Sequence, residues 1–208
     1  MHLYESIIPS GNVYKIQLLL THLGINYETT SLDILATPSK TRTESFLKLN
    51  PSGQIPVLVL DDGTPLAQSN AIIYYLAENT PYLPSDKLGR HKVLEWLFFE
   101  QNSIEPYVSV YKFHTYWGDL GALSEGERNK LKERGQLAID VMERHLEGRE
   151  WFVDEVFGVA DVALYGYVVH AEVIGYSVGS RVKAWLKRVE GVEGHVPIKK
   201  DPTGKCPL

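Results

Sequence analysis

Cysteine is almost absent from this chain. Its 208 residues hold one, Cys206, third from the end. A single thiol excludes an intramolecular disulfide and a C-x-x-C redox pair, and such a chain fits a reducing cytoplasm. Its position also excludes a C-terminal prenylation box, which needs the cysteine fourth from the end. Cys206 therefore reads as a thiol on a mobile tail. Long apolar runs are missing too. The longest, such as Leu18 to Leu20 and Ile55 to Leu60, fall far short of the ~20 residues of a membrane helix. No basic segment followed by an apolar stretch and a small-residue cleavage site opens the chain, so a cytoplasmic location is expected. Positive charge is in deficit: 21 Lys and Arg against 26 Asp and Glu leave a net charge of −5, which disfavours a nucleic-acid partner. G-x-G-x-x-G, Walker A and G-x-S-x-G patterns are absent. The His residues are widely separated, so no local metal motif exists and no metal is expected.

What is present suffices for a folded protein. Hydrophobic residues make up 44% and charged residues 23%, enough apolar material to offset the entropy of ordering. The first 79 residues alternate between strand and helix patterns. A short apolar start at His2 to Glu5 is followed by Val13, Ile16, Leu20 and Leu23 at helical spacing, with Gly24 as a stop. Tyr27 to Ile34 fits a second strand, and Phe46-Leu47 a short helix ended by Asn50-Pro51. Ile55 to Leu60, Asp61-Asp62-Gly63 and Thr64 to Ala67 spell a hairpin. Ser69 to Asn79 reads as a helix. The order is βαβαββα. A helix between the first two strands implies a parallel crossover, so the four-stranded sheet is mixed.

Residues 80–86, with Pro81 and Pro84, form the expected linker. From 87 to 208 only helices are expected. One is long, starts around Leu94, bends at Pro106 and ends near Trp117. A second carries Leu131, Ala138, Met142 and His145. The third is the apolar stretch Val159 to Ile174, and the fourth carries Val182, Trp185, Leu186 and Val189.

Three segments carry chemistry, each with a plain alternative. Pro56 opens a strand, where its missing N–H is tolerated. Locally a trans Ile55–Pro56 bond is favoured, since cis forms only about 5–6% of X-Pro bonds. A cis bond would turn the Ile55 backbone outward, toward a peptide-like ligand. Gln68-Ser69-Asn70 precedes a helix, either as a simple cap or as an anion site at its N-terminus. Ser10-Gly11-Asn12 lies between the first strand and first helix, again as a cap or as an anion-stabilising turn, with Gly11 permitting close backbone approach.

Taken in order on the βαβαββα pattern, these segments resemble the cytosolic glutathione transferase family, over nearly the whole chain. The resemblance rests on Ser10-Gly11-Asn12 with Tyr14-Lys15, on Leu49 to Leu58, on Leu66 to Ile72 with Tyr75-Leu76, and on Gly158-Val159-Ala160-Asp161. The ending, Trp185-Leu186 to Gly194-His195-Val196-Pro197, is similar to a bacterial and fungal branch.

The resemblance implies a thioredoxin-like domain over residues 1–79 and an all-helical domain over 87–208, with the second substrate between them. It implies a cis bond at Pro56, against the local expectation. Ile55 would bind the cysteinyl backbone of glutathione, Gln68 and Ser69 its γ-glutamyl carboxylate, and Gln54 its glycyl end. Arg42, with Lys40 nearby, would pair with the glycyl carboxylate. Ser10 matches the serine of the serine-type classes, with Asn12 sharing or replacing its role of favouring the thiolate. Tyr4 is a rival. Tyr107, Tyr111 and His114, with Trp117, would line a pocket for an apolar electrophile. Glutathione would be a co-substrate and no cofactor would be bound permanently. The partners implied are glutathione, a small electrophile and a second copy of the chain. Two other readings stay open: a non-catalytic binding or interaction protein with this fold, and glutathione-dependent disulfide or peroxide reduction. Gly158 departs from the family's Ser or Thr, so a side-chain bond of that helix cap should be lost.

Overall fold

A computed structural model describes residues 1–207. The first part is a four-stranded sheet flanked by helices. Strands β1 (His2–Ser6), β2 (Glu28–Leu32), β3 (Val57–Val59) and β4 (Pro65–Ala67) lie in the order β2-β1-β3-β4. β2 runs parallel to β1, while β3 is antiparallel to both β1 and β4. Leu3 faces Leu58 across the β1–β3 pair, and both are fully buried. Helices α1 (Gly11–His22), α2 (Glu44–Leu49) and α3 (Ser69–Leu76) complete the expected βαβαββα order. The Asp61-Asp62-Gly63 turn closes the hairpin, with Gly63 at φ +88°, a conformation free of cost only for glycine.

The second part is all helical among the described residues: α4 (Lys87–Phe99), α5 (Val110–Tyr116), α6 (Glu125–His145), α7 (Val159–Val168) and α8 (Ser180–Glu190). Asp86 caps α4 by accepting from Leu88 N and Gly89 N, so the long helix starts earlier than the sequence suggested. Pro106 lies inside it. Wide π-helical turns over Glu100–Ser109 join α4 to α5. These turns accommodate a residue that lacks the N–H for the ordinary ladder.

α1 is the hinge of the architecture. Its residues from Val13 to Leu20 are all buried, and the helix packs against α3 on one side and α7 on the other. The close approach that Gly11 permits is to α7. A Cβ on Gly11 would lie 2.6 Å from the Gly166 carbonyl oxygen. The apolar core is therefore continuous through both parts, from Leu3 and Leu58 to Ile139 and Trp185.

One local expectation needs correction and another holds. Cys206 is not on a mobile tail but buried, and its N–H donates to Asp201 Oδ2 at 2.8 Å. Asp201 also accepts from Trp117 Nε1 and Thr203, which folds residues 201–206 against the end of the long helix. At Gly158 the side-chain half of the cap is lost, as expected. The Asp161 carboxylate still accepts from Gly158 N at 3.1 Å, from Phe152 N at 3.3 Å and from Trp185 Nε1 at 2.8 Å. What glycine lacks is the side chain that would return the bond.

Candidate functional site

The main cleft lies where the two parts meet and has a volume of about 460 Å³. The first part supplies most of its wall. Ile55–Pro56 is cis, so the implication of the resemblance holds and the local expectation does not. Ile55 and Pro56 both line the cleft. The buried Asn50 fixes the loop before them. Its Nδ2 donates to Gln54 O at 2.8 Å, while its Oδ1 accepts from Ser52 N and Ser52 Oγ. Gln54 and Arg42 stand at the same end. Arg42 Nη1 donates to Ser52 O at 3.1 Å, and Gly53 leaves it room, since a Cβ there would lie 2.5 Å from Nη1. Lys40 does not reach the lining.

Gln68 and Ser69 form the opposite end, at the N-terminus of α3. Gln68 has φ +68°, a region costing roughly 1–3 kcal/mol for a residue with a side chain. Its side chain makes no cap bond. The first amides of α3 therefore face the cleft without a side-chain acceptor, as an anion site requires.

Asn12 stands between these ends and is held by a buried network. Its Oδ1 accepts from Ser69 Oγ at 2.7 Å, from Lys15 Nζ at 2.8 Å and from Gln101 Nε2 at 3.4 Å. An ammonium only donates, so Lys15 determines which way the Asn12 amide points. Among the described residues, the Asn12 Nδ2 group is left as a free donor. Lys15 is itself fully buried. It donates to Asn70 Oδ1 at 3.2 Å and forms a 2.7 Å ion pair with the fully buried Glu100. Burial lowers its pKa, and Glu100 opposes that shift. The Tyr167 ring lies 5.0 Å from Nζ. Asn70 Nδ2 and Gln101 Nε2 also donate to Glu100 Oε2, at 2.9 and 3.0 Å.

The helical part contributes Gln101 and Glu105 to the cleft. Glu105 titrates above the usual carboxylate range, chiefly because it is buried and next because Glu100 repels its charge; Lys15 opposes both. Tyr107, Tyr111 and His114 do not line this cleft. Tyr111 packs on the Tyr176 ring at 6.0 Å and under Lys132 Nζ at 4.3 Å, and Trp117 holds Asp201. Ser10 is also elsewhere. It caps α1, accepting from Val13 N at 3.4 Å. It lines a separate groove of about 220 Å³ with Ile198, Lys199 and Lys200. Tyr4 stays in β1, edge-on to Phe46 at 5.8 Å.

The sequence reading thus missed Lys15, Glu100, Gln101 and Glu105. The available signal was a lysine inside the apolar run of α1. No group of three or more His, Cys, Asp or Glu among the described residues is placed to hold a metal. No described helix is long and apolar enough to cross a membrane.

Both parts of the chain match known proteins. Residues 9–79 match the glutathione S-transferase N-terminal domain, and residues 102–193 match the C-terminal domain of the same proteins. A glutathione S-transferase structure from Pseudomonas fluorescens is 43% identical, with a TM-score of 0.86 over 94% of this chain and 97% of that one. A glutathione transferase from Burkholderia graminis, solved with two glutathione molecules bound per subunit, is 25% identical. It superposes with a TM-score of 0.80 over 93% of this chain and 84% of its own. The disulfide-bond oxidoreductase YfcG of Escherichia coli (strain K12) is 28% identical over 87% of this chain and 86% of its own length.

Proposed function

We propose that this chain, which belongs to the glutathione S-transferase family, binds glutathione in the main cleft and uses its thiol as the nucleophile toward a small electrophile. The observation that carries this reading is the locked amide of Asn12 beside Ile55 and Ser69. In this pose the cysteinyl backbone of glutathione pairs with the Ile55 main chain. The γ-glutamyl carboxylate sits on Ser69 and the α3 N-terminus, beside Gln68, and the glycyl carboxylate meets Arg42 and Gln54. The sulfur then lies by Asn12 Nδ2. A free thiol has a pKa of about 8.5, so it is mostly protonated at neutral pH. A donor that bonds the thiolate and cannot bond the thiol equally well lowers that value. The thiolate attacks the electrophilic carbon, an S–C bond forms, and the leaving group departs with its electron pair. Asn12 is favoured over Ser10, because Ser10 lines the other groove.

A second reading, disulfide reduction, draws support from the cleft wall. The helical part presents Gln101 and Glu105 there and none of its aromatic residues, which suits a polar second substrate such as a glutathione mixed disulfide. Bound thiolate attacks the glutathionyl sulfur, the S–S bond breaks, and the partner thiolate leaves. Glutathione disulfide results, with no protein thiol involved. The polarity of this wall also argues against the largely apolar electrophile that the sequence suggested. A homodimer is part of the proposal: Tyr75, Leu88 and Phe98 leave apolar surface exposed on α3 and α4, Phe98 at 71%. A cytoplasmic location belongs to it as well.

The test is a thiolate difference spectrum recorded while glutathione is titrated into the protein near neutral pH. A saturable signal that disappears in Asn12→Ala is expected. No binding by calorimetry would move the function to a non-catalytic interaction protein.

A further inference from the structure

Glu105 is the one ionisable side chain that the helical part presents to the cleft, and the mechanism above leaves it unused. Among the described residues no cation pairs with it. The ammonium of Lys15 is the obvious candidate, but its three N–H groups are committed to Asn12, Asn70 and Glu100. Only the longer-range charges of Glu100 and Lys15 act on Glu105. The neighbouring Glu100 is fully buried, and its Oε1 has no hydrogen-bond donor. Two carboxylates therefore face one ammonium, and the cluster carries an excess negative charge next to the place where a thiolate must form.

We infer that Glu105 carries the proton of the reaction, taking it from the glutathione thiol and giving it to the departing thiolate of a disulfide, or to water where the leaving group is chloride. This inference rests on the reading of the cleft as a glutathione site. With a disulfide the step balances without any further reactant. The S–H bond breaks as the Glu105 carboxylate becomes a carboxylic acid, and the electron pair stays on sulfur. The thiolate, held by Asn12 Nδ2, attacks. The departing thiolate of a mixed disulfide then takes the proton from Glu105, which restores the carboxylate. The charge count favours this order. Thiolate and ionised Glu105 never coexist, because one proton is shared between them, and the cleft keeps a constant charge throughout.

The groups that set the titration of Glu105 come from three elements. Glu100 on its own helix raises it, Lys15 on α1 lowers it, and the Tyr167 phenol on α7 is a neutral neighbour whose own ionisation burial suppresses. Arg42 stands at the glycyl end of the cleft, near Ser52 and Gly53.

The test compares wild type, Glu105→Gln and Glu105→Asp. The substrates are glutathione with a chloronitrobenzene electrophile, and glutathione with the mixed disulfide of glutathione and mercaptoethanol. kcat/KM is measured across pH and glutathione Kd by calorimetry. Glu105→Gln should lower kcat/KM with the disulfide by about 100-fold at neutral pH, the usual scale of a positioned acid or base. Its glutathione Kd should stay within about threefold of wild type, since the residue is asked to supply catalysis and not uniform binding. The wild-type profile should level off once Glu105 is ionised, and Glu105→Asp should keep that plateau. The glutamine variant should keep climbing toward the thiol pKa of about 8.5. A Glu105→Gln variant with the wild-type rate and profile overturns the inference while leaving the glutathione site intact. If that variant does not fold, a wild-type profile that climbs without a plateau overturns it equally. A wild type that binds no glutathione overturns both readings, and the calorimetry separates that case from the others.

Discussion

Lys15 joins the fold to the chemistry, so replacing it tests both. In Lys15→Met the side chain keeps its length and loses its charge. Glu100 then remains fully buried with two amide donors, Asn70 and Gln101, and no cation. Breaking a buried pair from one side typically costs about 3–5 kcal/mol, because the remaining charge is stranded. For a chain of this size each kcal/mol moves Tm by roughly 2–4 °C, so a fall of about 10 °C is expected. Removing the second charge should return most of it. Lys15→Met/Glu100→Gln is expected to be more stable than Lys15→Met alone, since a neutral amide can stay buried among Asn70 and Gln101 more cheaply than an unpaired carboxylate can. Urea unfolding of wild type, both single variants and the double variant gives the coupling energy directly. The same proteins should show a functional loss. Without an obligatory donor at Oδ1, the Asn12 amide is free to turn, and the thiolate signal at saturating glutathione should weaken. A Lys15→Met variant within about 1 kcal/mol of wild type, on the scale of an exposed pair, would refute the reasoning. So would a double variant no more stable than the single one.

Three further outcomes follow from the same structure. Asn12→Ala should reduce the bound thiolate fraction about 10–100-fold, the equivalent of one hydrogen bond to a charged group, whereas Ser10→Ala should cost about 1 kcal/mol of stability through the lost cap and leave turnover nearly unchanged; paired kinetics and melting curves decide this. Gly11→Ala should destabilise by about 1–3 kcal/mol, since the new methyl meets the carbonyl of Gly166 and the Tyr167 ring and α7 must shift; thermal unfolding measures it. Asp161 is fully buried, and burial raises its pKa to about 7, against the three N–H groups that bond it. Its folded value therefore lies above the unfolded value of about 3.9, so its contribution is full below about pH 4 and is lost as pH rises through about 7, on the order of 4 kcal/mol; unfolding at pH 5 and pH 8 should show that slope in wild type and not in Asp161→Asn.

Much of the architecture was legible because it depends on short-range pattern. Val13, Ile16 and Leu20 mark the buried faces of α1, and Asp61-Asp62-Gly63 marks the hairpin. The cradle residues were legible only through a resemblance. Local preference around Ile55–Pro56 pointed to trans, and nothing in those few residues overrides it. The wall of the cleft failed for a geometric reason. Tyr107, Tyr111 and His114 share a face if the helix is α throughout, but the π-helical turns over Glu100–Ser109 hold more residues per turn and rotate the phase. Gln101 and Glu105 come to the cleft, and Tyr111 turns toward Tyr176. The Lys15–Glu100 pair spans 85 residues, a separation at which no spacing rule operates. Cys206 looked like a loose end because its partner, Asp201, becomes an acceptor only once the turn has formed.

The hydrogen bond between Ser69 and Asn12 explains why a lysine sits in the core at all. In the structure the Ser69 hydroxyl donates to Asn12 Oδ1 at 2.7 Å. A carboxylate arriving at the α3 N-terminus is the stronger acceptor and draws that hydroxyl to itself. If Ser69 were the only donor, ligand binding would release the Asn12 amide at the moment its orientation begins to matter. The bond from Gln101 is the longest of the three, at 3.4 Å, and its own amide can turn. Lys15 cannot reverse its polarity, and its Nζ is tied at the same time to Asn70 on α3 and Glu100 on the long helix. On the proposed glutathione pose, the amide at the thiol end keeps its direction while the serine at the carboxylate end changes partner. The buried ion pair is costly on its own terms, and on the proposed reading its role is to keep the two ends of the cradle independent.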